Sequence, residues 1–277
     1  MTPDELAAKL GVSPKAVRSW LRQTFPRSRA EAHQRWDLGP QEIKAAEDRF
    51  RRLTATAQTV PVSLAAADEA IGAVAFEERL NAFSLAPMRT RDEVLASPCP
   101  VPREPGIYGW WFRRLPTDLE TQACIARDDC TLLYVGISPK RPPASGRPPS
   151  TQTLRDRVRY HFTGNAEGST LRKTLGTLLS DELHLELRRV GSGKRMTFTD
   201  GELRLSAWMS ENARVSWIVD LAPWVLEARL IASLDVPLNI DGNSHNEFHP
   251  SLVAARAGAV AKARLLPIAP NSGVGGR

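Results

Sequence analysis

Cysteine is scarce. The chain holds three, Cys99, Cys124 and Cys130, and no CxxC pair. That excludes a disulfide framework and makes a reducing, cytoplasmic setting the expectation. No apolar run reaches the roughly 18–20 residues that span a bilayer, so no membrane role is expected. The start, MTPDELAAKLG, carries acids early and lacks a long apolar core, unlike a secretory signal. Histidine is limited to five residues. His245 and His249 are four apart, but Asn, Glu and Pro flank them, which reads as loop rather than a zinc pair. Tyrosine is limited to three, Tyr108, Tyr134 and Tyr160, which makes the placement of each informative.

What is present suffices for a folded chain. Of 277 residues, 42% are hydrophobic and 25% charged. That composition excludes a mostly disordered or fibrous chain and fits about one to three domains. The net charge is +6, unevenly spread. Residues 1–53 carry +4, residues 54–97 carry −3, residues 98–249 carry +1 and residues 250–277 carry +4. A second concentration lies at 140–173, with Lys140, Arg141, Arg147, Arg155, Arg157, Arg159, Arg172 and Lys173. Polyanion binding and a solvated helix face both fit that stretch.

The first 53 residues read as a small helical unit. Thr2, Pro3 and Glu5 form a cap-and-proline start, and Leu6, Ala7 and Leu10 give an apolar face. Gly11-Val12 breaks that helix, and Ser13-Pro14 opens a second over about 14–24. Val17, Trp20 and Leu21 share one of its faces, while Lys15, Arg18 and Arg22 share another. A third helix starts near Gly39-Pro40, with Ile43, Ala46 and Phe50 inward. The segment DELAAKLGVSPKAVRSWLR resembles a helix-turn-helix, whose second helix enters the DNA major groove. The resemblance implies Lys15, Arg18, Ser19 and Arg22 as DNA contacts. A small bundle for protein contact is the competing reading.

Residues 54–97 read as an alanine-rich linker followed by an acidic helix over about 68–84. Residues 250–265 read as a terminal helix, followed by a disordered tail. The informative region lies between. Residues 105–112, PGIYGWWF, form an aromatic strand, and residues 131–137, TLLYVGI, form a second. A Pro/Gly/Ser loop leads into a helix, TLRDRVRYHF. A helix over 169–180 follows, then strand signals at 183–190 and 214–219. Asp200 caps a helix over 201–213, and Pro223 opens PWVLEARLIASL.

These residues resemble the GIY-YIG nuclease family over about 104–241. Gly106-Ile107-Tyr108 matches the first motif, and Tyr134-Val135-Gly136 matches the second with Val for Ile. Arg157 matches the arginine of the following helix, and His161 stands four residues on. Glu227 matches the metal-binding carboxylate, and Asn239 matches the closing asparagine. One departure is the separation of the tyrosines by 26 positions, where the family uses a tight hairpin. A surface loop grows cheaply, at about 0.6 kcal/mol per doubling of length.

The resemblance implies an α+β fold, with a small three-stranded, mainly antiparallel sheet flanked by helices. With it comes a metal-dependent DNA endonuclease, targeted to double-stranded DNA by the N-terminal unit. Tyr108 is implied as the base or water-orienting residue, with Tyr134 supporting the base or orienting water, Arg157 as phosphate clamp and Glu227 as ligand for Mg²⁺ or Mn²⁺. His161 and Asn239 complete the catalytic set. The residue chemistry agrees with these roles. A tyrosine beside a cation can ionise more easily, an arginine offers a planar fork, and one carboxylate can hold Mg²⁺. Arg172 and Lys173, at a helix start capped by Ser169, form a second candidate phosphate site, beside the reading of an ordinary capped helix. An inactive DNA-binding regulator and an RNA-directed nuclease or binding module are the rival functions. Oligomeric state is not legible.

Overall fold

A computed structural model of the chain describes residues 1–10, 17–18, 21, 24–25, 36–48, 72–142 and 150–275. It divides into two compact units. One comprises residues 1–67 with 141–150, and the other residues 68–140 with 151–277.

The first unit opens with helix α1, Pro3–Leu10. Its start is a reciprocal cap: Glu5 N–H donates to Thr2 Oγ1 at 3.3 Å, and Thr2 N–H donates to Glu5 Oε2 at 2.9 Å. Leu6, Ala7, Val17, Leu21, Leu38 and Ala46 are buried together as a small core. Arg18, expected to face DNA, pairs with Asp4 at 2.6 Å on an exposed surface. Lys15, Ser19 and Arg22 lie outside the described residues, as do residues 54–71 of the expected linker.

The second unit starts with helices α2 (Ala73–Leu85) and α3 (Arg91–Leu95). Strands β1 (Gly106–Phe112), β2 (Ala126–Arg127) and β3 (Cys130–Ser138) follow. Next come helices α4 (Leu154–Thr163) and α5 (Thr170–Leu178) and a hairpin of β4 (Arg188–Val190) with β5 (Arg195–Thr197). Helix α6 (Gly201–Asn212), strand β6 (Ala213–Val219), helix α7 (Pro223–Ser233) and helix α8 (His249–Leu265) complete the order. His249 therefore opens a helix rather than standing in a loop with His245.

The main sheet has the order β2-β3-β1-β6, and its pairings are antiparallel. It carries four strands rather than three, because the enlarged β1–β3 connection folds back as the two-residue β2. Arg127 fastens that connection, donating to the Ser84 and Ala86 carbonyls at 2.7 Å. The signal at 183–190 yields a strand over its last three residues, and this strand belongs to the separate β4–β5 sheet.

Every residue of β1 is buried, because strands flank it on both edges and helices cover both faces. Period-two alternation sorts its side chains. Ile107 and Trp111 pack with Phe83 of α2 and with Leu226 and Leu230 of α7. Tyr108, Trp110 and Phe112 pack with Val158 and Phe162 of α4, Leu175 of α5 and Trp208 of α6. A bulge at Leu133 shifts the register, so that Trp110 faces Tyr134 and Trp111 faces Leu132. Residues 267–275, part of a tail expected to be disordered, instead bond to the second unit. Ala269 N–H donates to the Arg189 carbonyl at 2.8 Å, and Asn165 Nδ2 donates to the Gly275 carbonyl at 3.0 Å.

Candidate active site

The two tyrosines share one face of the sheet. Tyr108 pairs with Gly136 across β1 and β3, and Tyr134 sits two residues from that partner, a diagonal neighbour. Gly136 is there for room. A Cβ at that position would stand 2.6 Å from the Tyr108 hydroxyl, closer than van der Waals contact permits. The second glycine of the motif is thus the space into which the first tyrosine lies.

Helix α4 supplies the polar partners. Thr153 caps it, accepting from Asp156 N–H, and Leu154, Val158 and Phe162 hold its apolar side in the core. The same turns bring Arg157 and His161 to Tyr108. The Tyr108 hydroxyl and His161 Nε2 are 2.9 Å apart. Arg157 Nε donates to that hydroxyl at 3.4 Å, and Arg157 Nη1 donates to the Gly168 carbonyl at 2.7 Å. On its far side His161 Nδ1 stands 2.7 Å from Ser169 Oγ. Ser169 also caps α5, accepting from Arg172 N–H. His161 and Ser169 are fully buried.

Burial controls the electrostatics. Tyr108 was expected to ionise more easily beside a cation. Burial instead pushes its pKa up, against the opposing pull of Arg157. Tyr134 is pushed up for the same reason, with Tyr108 adding to the shift. Burial holds His161 well below the ordinary histidine range, and Arg157 and Arg172 add to that. At neutral pH the site therefore contains two neutral phenols, a neutral imidazole and a charged guanidinium.

Glu227, on the half-buried side of α7, is the carboxylate of this neighbourhood. Burial pushes its carboxyl to about 7, Asp241 pushes the same way, and Lys140 opposes both. Its charge bears on both tyrosines. Among the described residues, no three His, Cys, Asp or Glu side chains converge as a closed metal site. Glu227 with nearby Asp241 suits a hard divalent cation that keeps water and phosphate as its other ligands.

Two further expected residues, Asn239 and Arg172, form hydrogen bonds within the fold. Asn239 grips the backbone of β3. Its Oδ1 accepts from Val135 N–H at 2.9 Å, and its Nδ2 donates to the Val135 carbonyl at 2.8 Å. It thereby stands in for a neighbouring strand beside Tyr134. Arg172, expected to bind phosphate, is fully buried and forms an ion pair with Glu202 at 2.7 Å. It also donates to the His161 carbonyl at 3.2 Å. It belongs to the scaffold under His161 and presents no charge to solvent. Arg155 and Arg159 likewise donate to the Val101 and Val94 carbonyls. Of the basic stretch at 140–173, Arg157 reaches the site, Lys140 is exposed and Lys173 is half-buried. In the sequence Ser169 reads only as a helix cap, and Asp241, two positions after Asn239, stands in no motif.

The family model described as GIY-YIG catalytic domain matches residues 106–258, more than half of the chain. No curated protein matches the chain, and no solved structure matches it. The family is a nuclease family, generally dependent on a divalent metal, and its domain implies a nucleic-acid substrate. No helix among the described residues is long and apolar enough to cross a membrane. With the motif glycine, the paired tyrosines, Arg157 and Glu227 set around one sheet, the chain belongs to the GIY-YIG catalytic domain family.

Proposed function

We propose that the protein is a Mg²⁺-dependent endonuclease that hydrolyses phosphodiester bonds of double-stranded DNA. The observation that carries this reading is the chain Tyr108–His161–Ser169, with Arg157 on the same phenol. Hydrolysis requires a proton to leave the attacking water and negative charge on the phosphoryl oxygens to be met. A tyrosine with a raised pKa is a poor resting base. It can take a proton from water only by passing its own to a neighbour. His161 is neutral and 2.9 Å away. In the tautomer with the proton on Nδ1, donated to Ser169, Nε2 is left to accept from the Tyr108 hydroxyl. Arg157, fixed by the Gly168 carbonyl, keeps its charge toward the developing oxyanion.

Glu227, with Asp241 beside it, would hold the metal. When bound, the ion supplies positive charge to the phosphoryl and leaving oxygens. Tyr134 orients water near Glu227, and Asn239 fixes the strand that carries Tyr134. Lys173 contacts the backbone beside the cut. The N-terminal unit, with Lys15, Arg18, Ser19 and Arg22, positions the nuclease on duplex DNA.

The test is incubation of the full chain with supercoiled plasmid and, separately, with single-stranded RNA, in Mg²⁺ and in EDTA. Nicking of plasmid in Mg²⁺ alone is expected. Binding of duplex without cutting would make the protein a regulator, and cutting of RNA alone would make it an RNA nuclease. Removal of residues 1–53 should weaken duplex binding and flatten its salt dependence. Unchanged affinity at matched salt would assign that unit to protein contact.

A further inference from the structure

Helix α8 lies beyond the motif residues, packed on α5. It brings Arg256 against that helix, where the guanidinium donates to Thr174 Oγ1 at 3.3 Å. The next residue back along α5 is Lys173. Both side chains are half-buried. Among the described residues, neither has a carboxylate at ion-pair distance, whereas the buried Arg172 between His161 and α6 does.

Two cations held near each other and half out of water favour a bound anion, because the acids that act on them, Glu167 on Lys173 and Asp241 on Arg256, do so from beyond ion-pair distance. Burial lowers the pKa of each; Glu167 opposes this at Lys173 while Arg256 adds to it, and Tyr134 and Asp241 oppose it at Arg256. Helix α5, which carries Lys173 and Thr174, is capped at its start by Ser169, the partner of His161, and the charge of Arg256 acts on Tyr134 and Asp241.

We propose that Arg256, together with Lys173, forms a phosphate-binding subsite next to the scissile position, making the C-terminal helix part of the substrate site. Arg256 binds the phosphodiester oxygens through the donors that Thr174 leaves free. Lys173 adds a point charge from α5. This subsite rests on the nuclease reading for the identity of its ligand.

The test uses the full chain and a short DNA duplex, followed by fluorescence anisotropy across a salt series in EDTA, so that nothing is cut. Arg256→Gln keeps a donor for Thr174 and removes the charge. Its slope of log affinity against log salt should fall by about one. Its affinity at about 0.1 M salt should fall about eightfold, the counterion-release share of one phosphate contact. Lys173→Gln should behave in the same way, and Arg256→Lys should retain the wild-type slope. A wild-type slope and affinity in Arg256→Gln would overturn the subsite, as would absence of duplex binding by the wild-type chain. Cutting is measured on the same preparations in Mg²⁺ and Mn²⁺. If the wild-type chain cuts nothing, the nuclease reading falls, while the slope comparison still decides on the subsite.

Discussion

The Tyr108 hydroxyl lies 2.9 Å from His161 Nε2, and the opposite nitrogen of the same ring lies 2.7 Å from Ser169 Oγ. The three residues come from β1, from α4 and from the cap of α5. Their alignment ties the chemistry of the first motif to a helix start far along the chain.

If that chain moves a proton, its members act as a unit. Tyr108→Phe and His161→Ala should each lower the single-turnover cleavage rate by about 10²–10⁴. The double variant should lose little more than the worse single one, because groups acting together are not additive. Rates in which the two losses multiply would show that the residues work independently.

Glu227 makes stability depend on pH. Its carboxyl titrates near 7 in the folded chain, against 4.5 for an ordinary glutamate. Between those values the folded state holds a proton that the unfolded state has released. Stability is therefore fully present below about 4.5, falls as pH rises, and levels off above about 7. Glu227→Gln should remove this slope and gain up to about 3 kcal/mol at pH 8 without divalent ions. Urea unfolding at pH 5 and pH 8 checks it. A constant difference between variant and wild type would contradict the assignment.

The Arg172–Glu202 pair should be structural. Both side chains are fully buried, and Glu202 also accepts from the Ala166 and Phe198 backbone N–H groups. Arg172→Met leaves Glu202 charged and buried, which should cost about 3–5 kcal/mol. DNA affinity of the remaining folded protein should be unchanged. A stable variant with weakened DNA binding would return Arg172 to the substrate surface.

Gly136→Ala should damage catalysis more than folding. The added methyl meets the Tyr108 hydroxyl, and the phenol must move from both His161 and Arg157. A loss of at least about tenfold in rate is expected, since displacement by about 1 Å already costs that order or more. Activity equal to wild type would show that the hydroxyl has other room.

The order of strand, strand, helix and carboxylate-bearing helix was legible in the sequence, because the aromatic β1, the Gly-ended β3 and the capped α4 each carry strong local signals. Tyr108, Arg157 and His161 do meet. What local reading missed depends on distant partners. Arg172 reads as a surface charge until Glu202, 30 residues on, is brought against it. Ser169 reads as a cap until His161 turns toward it. The direction of the Tyr108 shift is not legible in the sequence, because the cation is visible there and the burial of β1 between two helical layers is not. Arg256 sits in an Ala-rich helix with no motif around it, and its position follows from the packing of α8 on α5.

The most direct measurement is the single-turnover nicking of supercoiled plasmid by the full chain and by Glu227→Ala, in Mg²⁺ and in EDTA. Cutting by the wild-type chain in Mg²⁺ is expected, with none in EDTA and none by Glu227→Ala under either condition, while duplex affinity stays near wild type. Cutting by Glu227→Ala at the wild-type rate would contradict the assignment of this carboxylate as the metal-binding centre of the active site.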